Sequence, residues 1–225
     1  RADYNSYKMN LGNWSASSNY YEFWSHFYRG IRSATYFMNH IENNTEMIAN
    51  GEQDRIIQYK AEARFLRAWF YYNLLRQYGP FVIIGDEVIA GDLENDDVQM
   101  TLSRSPYDKC VEYILNELEI ASHDLPLHFT EQPEIDYGRA LLLAASPQFN
   151  GNQAYKDVIN KDGTHLFSQA YNEQKWKDAA KAAKDIIDLG IFDLYKVKNK
   201  NGDLDPYLSC RNVFLDTWND ELIMV

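Results

Sequence analysis

The stretch IIQYKAEARFLRAWFYYNLLRQYGP, residues 56–80, decides the fold predicted for this chain. It is rich in good helix formers, and its apolar side chains recur every three to four positions. They form two stripes on roughly opposite sides of the helix: Ile56, Tyr59, Ala63, Leu66, Phe70 and Leu74, and then Ile57, Ala61, Phe65, Ala68, Tyr72 and Leu75. A helix that is apolar on two sides is expected to lie between two neighbouring helices. Gly79 and Pro80 end the helix at residue 78, because proline cannot continue it.

A basic strip, formed by Lys60, Arg64 and Arg67, runs between the two apolar stripes. An unpaired charge inside a helical array is costly, so buried cations need acidic partners. We therefore expect a salt-bridged interior face, with Glu62 and Asp108 as candidate partners.

Four further segments carry helical patterns, at about 20–44, 105–125, 138–147 and 176–189. Ser105 is predicted to cap the second of these, with Pro106 at its first helical position. Pro147 is expected to kink or end the third. The sequence thus predicts an all-α fold of tetratricopeptide-like stacked helix pairs, with long loops and little β-structure.

The remaining segments are predicted to be irregular, apart from a short β-like run at 81–84. Residues 1–19 are polar, rich in Asn and Ser, and expected to form a loop that carries Trp14. We expect one helical domain over residues 1–225. The first residue is not Met and the last four residues are apolar, from which we expect that this domain is truncated at both ends.

Composition and charge restrict the function. The net charge of −11 disfavours binding to nucleic acid or docking on anionic lipid, since both need clustered Lys and Arg. No apolar run reaches the ~18 residues of a membrane span. The two cysteines lie far apart and match no metal spacing, and both are expected to be free thiols.

Motifs of catalysis are absent from the sequence: G-x-S-x-G, H-E-x-x-H, G-x-G-x-x-G and a phosphate loop are all missing. Residues 199–205 echo the middle of an EF-hand loop, but Val197 and Leu208 would occupy its first and last positions and cannot ligate calcium. A polar turn is the favoured interpretation. We expect no enzyme, no metal site and no cofactor.

Residues 59–84, YKAEARFLRAWFYYNLLRQYGPFVII, resemble the signature helix of the SusD/RagB family, the outer-membrane nutrient-binding lipoproteins of Bacteroidetes. The matching positions are residues 61–68, Tyr71, Tyr72, Leu74, Arg76, Tyr78 and Gly79. The segments FWSHFYRGIRSATYFMNHI, SPYDKCVEYILNELEIASHDLP, GRALLLAASPQFNGN and WKDAAKAAKDIIDLGIFDL resemble further family helices in the same order. Pro147 departs from the pattern, because the family usually continues an uninterrupted helix there.

The resemblance implies a tetratricopeptide-like fold and a lipoprotein exposed at the cell outer membrane. It implies a SusC-type TonB-dependent transporter as partner, over which such proteins act as a lid. The ligand that it implies is usually an oligosaccharide and sometimes a peptide. The family is considerably longer, so this chain would be its N-terminal part, with the lipid-anchored cysteine upstream.

A sugar site needs aromatic side chains that helix packing has not already used, because flat rings stack on the apolar face of a pyranose. Trp14 is the best candidate, since it lies in a polar loop outside any apolar stripe, and the neighbouring candidates are Asn13, Asn19, Tyr20 and Tyr21. The resemblance implies that this loop contributes ligand contacts. The alternative is a structural role, in which Trp14 only anchors the loop onto the core. Trp24, Trp69 and Trp176 are expected to be core residues.

Three hypotheses on function remain at this point. The first, which the signature helix favours, is a non-catalytic surface protein that captures oligosaccharide for a TonB-dependent transporter, or peptide in a variant of the same role. The second is a generic helical-repeat module that binds a protein partner. The third is a helical enzyme that processes glycans with a pair of carboxylates.

Overall fold

The computed structural model describes residues 4–15, 17–18, 20–87, 102–125, 133–190 and 193–216. The helices in these ranges, numbered in chain order, are α1 (Asn5–Asn10), α2 (Trp24–Ile41), α3 (Thr45–Ala49), α4 (Gln53–Tyr78), α5 (Tyr107–Asp124), α6 (Pro133–Ala145), α7 (Gln174–Asp188) and α8 (Pro206–Asn212). A single-turn 3-10 helix, Gln153–Tyr155, lies between α6 and α7. The β-structure of the described residues is limited to two isolated bridges, Ile159–His165 and Lys198–Leu204. The predicted all-α fold is confirmed.

The long helices stack in chain order. Helix α4 lies between α2 and α5, α6 packs on α5, and α7 packs on α6. Helix α6 also reaches α4 along part of its length. Each helix therefore packs against the helices before and after it, as in tetratricopeptide-like arrays. The centre of the core lies around α4, where the fully buried apolar side chains include Ile31, Tyr71, Leu74, Leu75, Ile114 and Leu118.

Helix α4 begins at Gln53, three residues before the predicted start, and ends at Tyr78 as predicted. Gly79 closes it with a left-handed backbone angle φ of 71°, and the Gly79 N–H donates to the carbonyl of Leu75 at 3.0 Å. Burial on two sides is confirmed by the packing against α2 and α5. The burial is incomplete, because Ile57 and Leu66, one from each apolar stripe, are 50% and 44% exposed.

The segment that follows α4, residues 80–87, contains a turn at 85–86 and does not form the predicted β-like run, because it pairs with no strand among the described residues. Helix side chains satisfy its backbone instead. The Tyr28 hydroxyl donates to the Val82 carbonyl at 3.0 Å and accepts from the Val82 N–H at 2.9 Å. The Tyr71 hydroxyl accepts from the Ile84 N–H at 3.2 Å. An apolar run in extended conformation therefore does not require a sheet when tyrosines lie beneath it.

Helix α5 begins one residue later than the predicted cap implies. Pro106 occupies the N-cap position rather than the first helical position, and the Ser105 side chain makes no capping bond. The Ser105 N–H donates to the Phe81 carbonyl at 2.8 Å, which ties the residues before α5 to the segment after α4. The residues before α5 are therefore held by this tertiary hydrogen bond and not by a capping bond from the Ser105 side chain.

Three short helices, α1, α3 and α8, lie where the sequence was expected to be irregular. The side chain of Asp205 accepts from the Leu208 N–H at 2.9 Å and caps α8, with Pro206 at its first position. Cys210 consequently lies on a helix and not in a loop, and both cysteines are free thiols as predicted. The predicted stop of α6 is confirmed, since this helix ends at Ala145, just before Pro147.

Candidate functional site: an aromatic surface across α2 and α4

The segment that leads into α2 is anchored to the end of α4 through its backbone. The Gln77 side-chain amide donates to the Tyr21 carbonyl at 2.8 Å, and the Phe23 N–H donates to the Tyr78 hydroxyl at 2.8 Å. Tyr21 adopts a left-handed φ of 55°, which is uncommon for a residue other than glycine. These contacts fix the backbone at Tyr21 and Phe23 while both of their rings stay exposed.

Five rings form a continuous row across the surface of α2 and α4. We call them the aromatic ladder, and its members are Tyr21, Phe23, Phe27, Phe70 and Trp69. Successive ring centroids lie 6.4, 5.9, 6.3 and 5.8 Å apart, within the range of favourable aromatic contacts. The ladder is open to solvent at both ends, where Tyr21 is 43% and Trp69 is 36% exposed.

Gly30 makes the crossing between the two helices possible. A Cβ atom at this position would lie 2.5 Å from the Phe70 ring, well inside van der Waals contact. The ring of Phe70 therefore lies directly over the backbone of α2, where it reaches Phe27. Gly30 costs α2 some helix propensity, and the close approach of Phe70 explains why a glycine is used here.

The predicted site residues have different surroundings in the structure. Trp14 is 60% exposed, and it makes no hydrogen bond and no aromatic ring contact with a described residue. Asn13 and Tyr20 are brought together, because the Tyr20 hydroxyl donates to the Asn13 carbonyl at 2.9 Å. Tyr21 joins the aromatic ladder. Asn19 lies outside the described residues.

The sequence interpretation missed part of this surface. Trp24 packs against the core as predicted, but Trp69 and Trp176 are 36% and 39% exposed and are not core residues. Phe23 was not singled out at all. Trp69 lies beside the apolar stripes of α4 and is exposed because no neighbouring helix of the described chain covers that side, which a helical pattern alone does not reveal.

Two residues of the basic strip, Arg64 and Arg67, form an interior ion-pair cluster, but their partner is neither Glu62 nor Asp108. Lys60, the third residue of the strip, pairs with the exposed Glu42 of another part of the chain. Glu117 of α5 is 3% exposed and accepts from Arg64 at 2.8 Å and from the fully buried Arg67 at 2.7 Å. Glu62 accepts instead from Gln58 on α4, and Asp108 pairs with Lys175.

Arg67 also binds the segment after α4. It donates to the Thr35 hydroxyl at 3.2 Å and to the Gly85 carbonyl at 3.0 Å, and it pairs with the Asp86 carboxylate at 2.8 Å. Burial, the largest single effect, lowers the pKa of Arg67, but the charge of Glu117 and the hydrogen bonds to Asp86 and Glu117 act together with smaller contributions to give a net upward shift. A buried guanidinium held by four residues, Glu117, Thr35, Gly85 and Asp86, is a structural element and offers no free group to a substrate.

Nucleophiles and metal ligands are not assembled in the described part of the chain. Burial raises the pKa of the Cys110 thiol to about 12, so it is a poor nucleophile at neutral pH. No group of three or more His, Cys, Asp or Glu side chains there could hold a metal ion. In the turn at 199–205, the Asn199 side-chain oxygen already accepts from the Asn201 and Asp203 N–H groups. Among the described helices, none is long and apolar enough to cross a membrane.

Comparison with known proteins gives a consistent set of relatives. Residues 2–145 match the family model SusD-like_3, described as starch-binding and associating with the outer membrane. That description is of a binding protein and not of an enzyme. A SusD-like protein from Bacteroides ovatus is 29% identical over 203 residues, which are 87% of this chain and 33% of that protein.

Solved structures of similar fold include BT4246, which superposes with a TM-score of 0.74 at 27% identity and covers 92% of this chain and 35% of its own. A SusD-like carbohydrate-binding protein from Bacteroides fragilis gives a TM-score of 0.52 at 21% identity, over 77% of this chain and 29% of its own. A structure with xylogluco-oligosaccharide gives 0.52 at 19% identity, over 76% of this chain and 30% of its own. The last two show likeness of fold alone. The chain spans about a third of the length of these relatives.

Proposed function

The chain belongs to the SusD-like family, and on that premise we propose that it is the helical part of a non-catalytic, cell-surface protein that captures oligosaccharide. The captured glycan passes to a TonB-dependent transporter of the SusC type in the outer membrane. A lipid anchor upstream of this chain attaches the protein to that membrane. Residues 1–225 form one domain of the protein.

The aromatic ladder and the loop that precedes it carry this proposal. A pyranose has an apolar C–H face and a rim of hydroxyls, so it binds where a flat ring and hydrogen-bonding groups lie side by side. Tyr21, in the turn before α2, and Trp69, on α4, offer exposed rings. Trp14 adds an exposed ring, and the neighbouring Asn13 and Tyr20 add polar groups. Asn19, which lies outside the described residues, stays a candidate from the sequence alone.

The exposure of Trp14 supports a role in binding over the alternative of an anchor. A tryptophan that anchors a loop buries its ring against the core, whereas Trp14 keeps 60% of its surface exposed. Leaving a large apolar ring in water is unfavourable, and a stacked sugar would cover it.

Isothermal titration of the full-length protein against neutral oligosaccharides and peptides tests this function, together with product analysis. We expect a glycan to bind and to be recovered uncleaved. Trp14→Ala and Tyr21→Asn should each weaken binding about tenfold, the effect of losing one anchoring ring. Asn is chosen at position 21 because it tolerates left-handed backbone angles.

Two matched variants control for the general loss of an exposed ring. Trp176→Ala on α7 and Tyr207→Ala on α8 remove side chains that are 39% and 74% exposed, outside the ladder and the loop. Their affinity should equal that of the wild type. If only peptides bind, the protein is a peptide-capturing member of the family. If no small ligand binds and a protein partner is retained on pull-down, the result would favour the helical-repeat interaction module.

A further inference from the structure

The outer face of α2 carries a second surface that the aromatic ladder does not use. Ile31, Ala34, Thr35, Met38 and Ile41 are buried against the rest of the array. On the opposite side of the helix, the exposed side chains of Arg29, Arg32, Ser33, Tyr36, Phe37 and His40 line a shallow recess of about 710 Å³. We call this recess the α2 outer face.

The α2 outer face is basic in a strongly acidic protein. Helix α2 contains no Asp or Glu, whereas the whole chain has a net charge of −11. Neither Arg29 nor Arg32 forms an ion pair with a described residue, although Arg55, Arg64 and Arg67 all do. Within the described ranges, the Arg29 guanidinium makes one hydrogen bond, from Nε to the Ser25 carbonyl at 3.3 Å.

The two arginines are suitably spaced to hold one anionic group. Residues three apart on a helix are neighbours, with Cβ atoms roughly 5–6 Å apart. A guanidinium presents a planar fork of donors that matches a carboxylate or sulfate with two parallel hydrogen bonds. Since the overall field of the protein repels anions, binding here depends on these local contacts and not on general attraction.

A fixed aromatic surface adjoins the arginines. The rings of Tyr36 and His40 stack with centroids 4.0 Å apart, and His40 Nδ1 lies 2.7 Å from the Tyr36 carbonyl. This contact restrains both rings before any ligand arrives, which lowers the entropic cost of binding. Phe37, at 41% exposure, adds a third ring beside them.

We propose that the α2 outer face binds an acidic oligosaccharide, with Arg29 and Arg32 on the anionic group of one sugar and Tyr36 and Phe37 against the ring of a neighbouring sugar. The combination of guanidinium pair and aromatic rings fits a carboxylated or sulfated sugar better than a neutral one. The assignment rests on the proposed glycan-capturing function and adds to it a class of substrate and a second site.

A matched pair of ligands tests the charge requirement. Oligogalacturonate and its fully methyl-esterified form share one sugar backbone, but only the first is charged. In titrations of the full-length protein we expect the acid to bind at least about tenfold more tightly than the ester, with an affinity that falls as salt increases. A sulfated oligosaccharide and its desulfated form, measured in parallel, show which anionic group is preferred.

Variants locate the site. Arg29→Gln together with Arg32→Gln should abolish the difference between the acid and the ester, and Tyr36→Ala should weaken both. Arg76→Gln together with Arg211→Gln removes the same charge from exposed positions on α4 and α8 and should leave the difference intact. Circular dichroism confirms that each variant is folded.

The outcomes separate this inference from the proposed function. If neutral glycans bind and depend on Trp14 and Tyr21, while the acid binds no better than the ester, the second site is wrong and the proposed function stands. If the α2 variant and the control arginine variant lose the preference for the acid equally, the preference depends on net charge alone, and the proposed site is also wrong. If no glycan of either kind binds, the proposed function itself has failed.

Discussion

The buried ion pair between α4 and α5 predicts a large loss of stability when its carboxylate is neutralised. Glu117 is the only acidic side chain among the described residues that pairs with both Arg64 and Arg67. The substitution Glu117→Gln keeps the size and shape of the side chain but removes its charge. Arg67, which is fully buried, would then lose its nearest counter-charge without access to water.

The expected cost follows from the surroundings of Arg67. Removing one partner of a buried pair costs roughly 3–5 kcal/mol, because the remaining charge stays desolvated. Arg67 would retain the Asp86 carboxylate and two neutral acceptors, Thr35 and Gly85. We therefore expect the lower end of that range, about 3 kcal/mol, which corresponds to a fall in Tm of roughly 6–12 °C for a domain of this size.

Urea unfolding followed by circular dichroism measures the loss, and α5 supplies the control. Glu112→Gln removes an exposed carboxylate from the same helix, where it pairs with Lys109, and should change stability by less than about 0.5 kcal/mol. The double variant Arg67→Met with Glu117→Leu should be more stable than Glu117→Gln, since it leaves no fully buried charge without a partner; Arg64 and Asp86, which lose their partners, both reach solvent. A Glu117→Gln protein as stable as the Glu112→Gln protein would refute the reasoning.

The pH dependence of the same cluster provides an independent readout through Asp86. Partial burial opposes the ionisation of Asp86, but Arg67 outweighs it and holds the pKa of this carboxyl below its usual 3.8. A carboxyl whose pKa is lower in the folded state contributes stability above its usual pKa and loses it as the pH falls further. We expect the free energy of unfolding of the wild type to fall below about pH 4 and this part of the fall to be absent in Asp86→Asn. The contribution of Asp86 should be under about 1 kcal/mol, because its side chain is exposed.

Two further predictions concern the aromatic ladder and the segment after α4. Gly30→Ala should destabilise the protein by roughly 1–3 kcal/mol in the same urea assay, because the added Cβ would clash with Phe70. Gly138→Ala on α6 is the control: its Cβ would meet neighbours at 3.9 Å, an ordinary contact, so this variant should be neutral or stabilising. Tyr28→Phe should cost about 1–3 kcal/mol and speed amide exchange at Val82, because one hydroxyl serves both backbone groups of that residue; unchanged exchange would contradict this.

Helix α4 shows how much of the fold could be read from local sequence. Its period, its Gly79 stop and the proline after it are all local signals, and the predicted end agrees with the structure. Helix α8 carries an equally local signal, since Asp205 caps it and Pro206 is its first residue, although the segment was predicted to be irregular. The segment at 81–84 shows the limit of local signals. An apolar run predicts extended backbone, but whether its partner is a strand or a pair of tyrosines depends on tertiary contacts.

The ion-pair partner of Arg67 illustrates a signal that was present and overlooked. Glu117 lies three residues after Ile114 and four before Ala121, both of which are buried. A carboxylate at that spacing falls within the apolar face of α5 and indicates a buried counter-charge. Its identity as the partner could not be deduced from the sequence of α4, because the two residues are 50 positions apart and meet only when α4 packs on α5.

The structure also changes the role expected of the signature helix, which the sequence predicted to be scaffold and core throughout. Successive residues of an α-helix point about 100° apart, so neighbouring positions face different surroundings. Arg67 and Tyr71 turn inward and hold α5 and the segment after α4, while Trp69 turns outward to end the aromatic ladder. Stability and the proposed ligand contact are therefore assigned to different faces of one helix. Because these faces do not share side chains, the surface at Trp69 can differ between relatives without disturbing the ion-pair cluster that supports the fold.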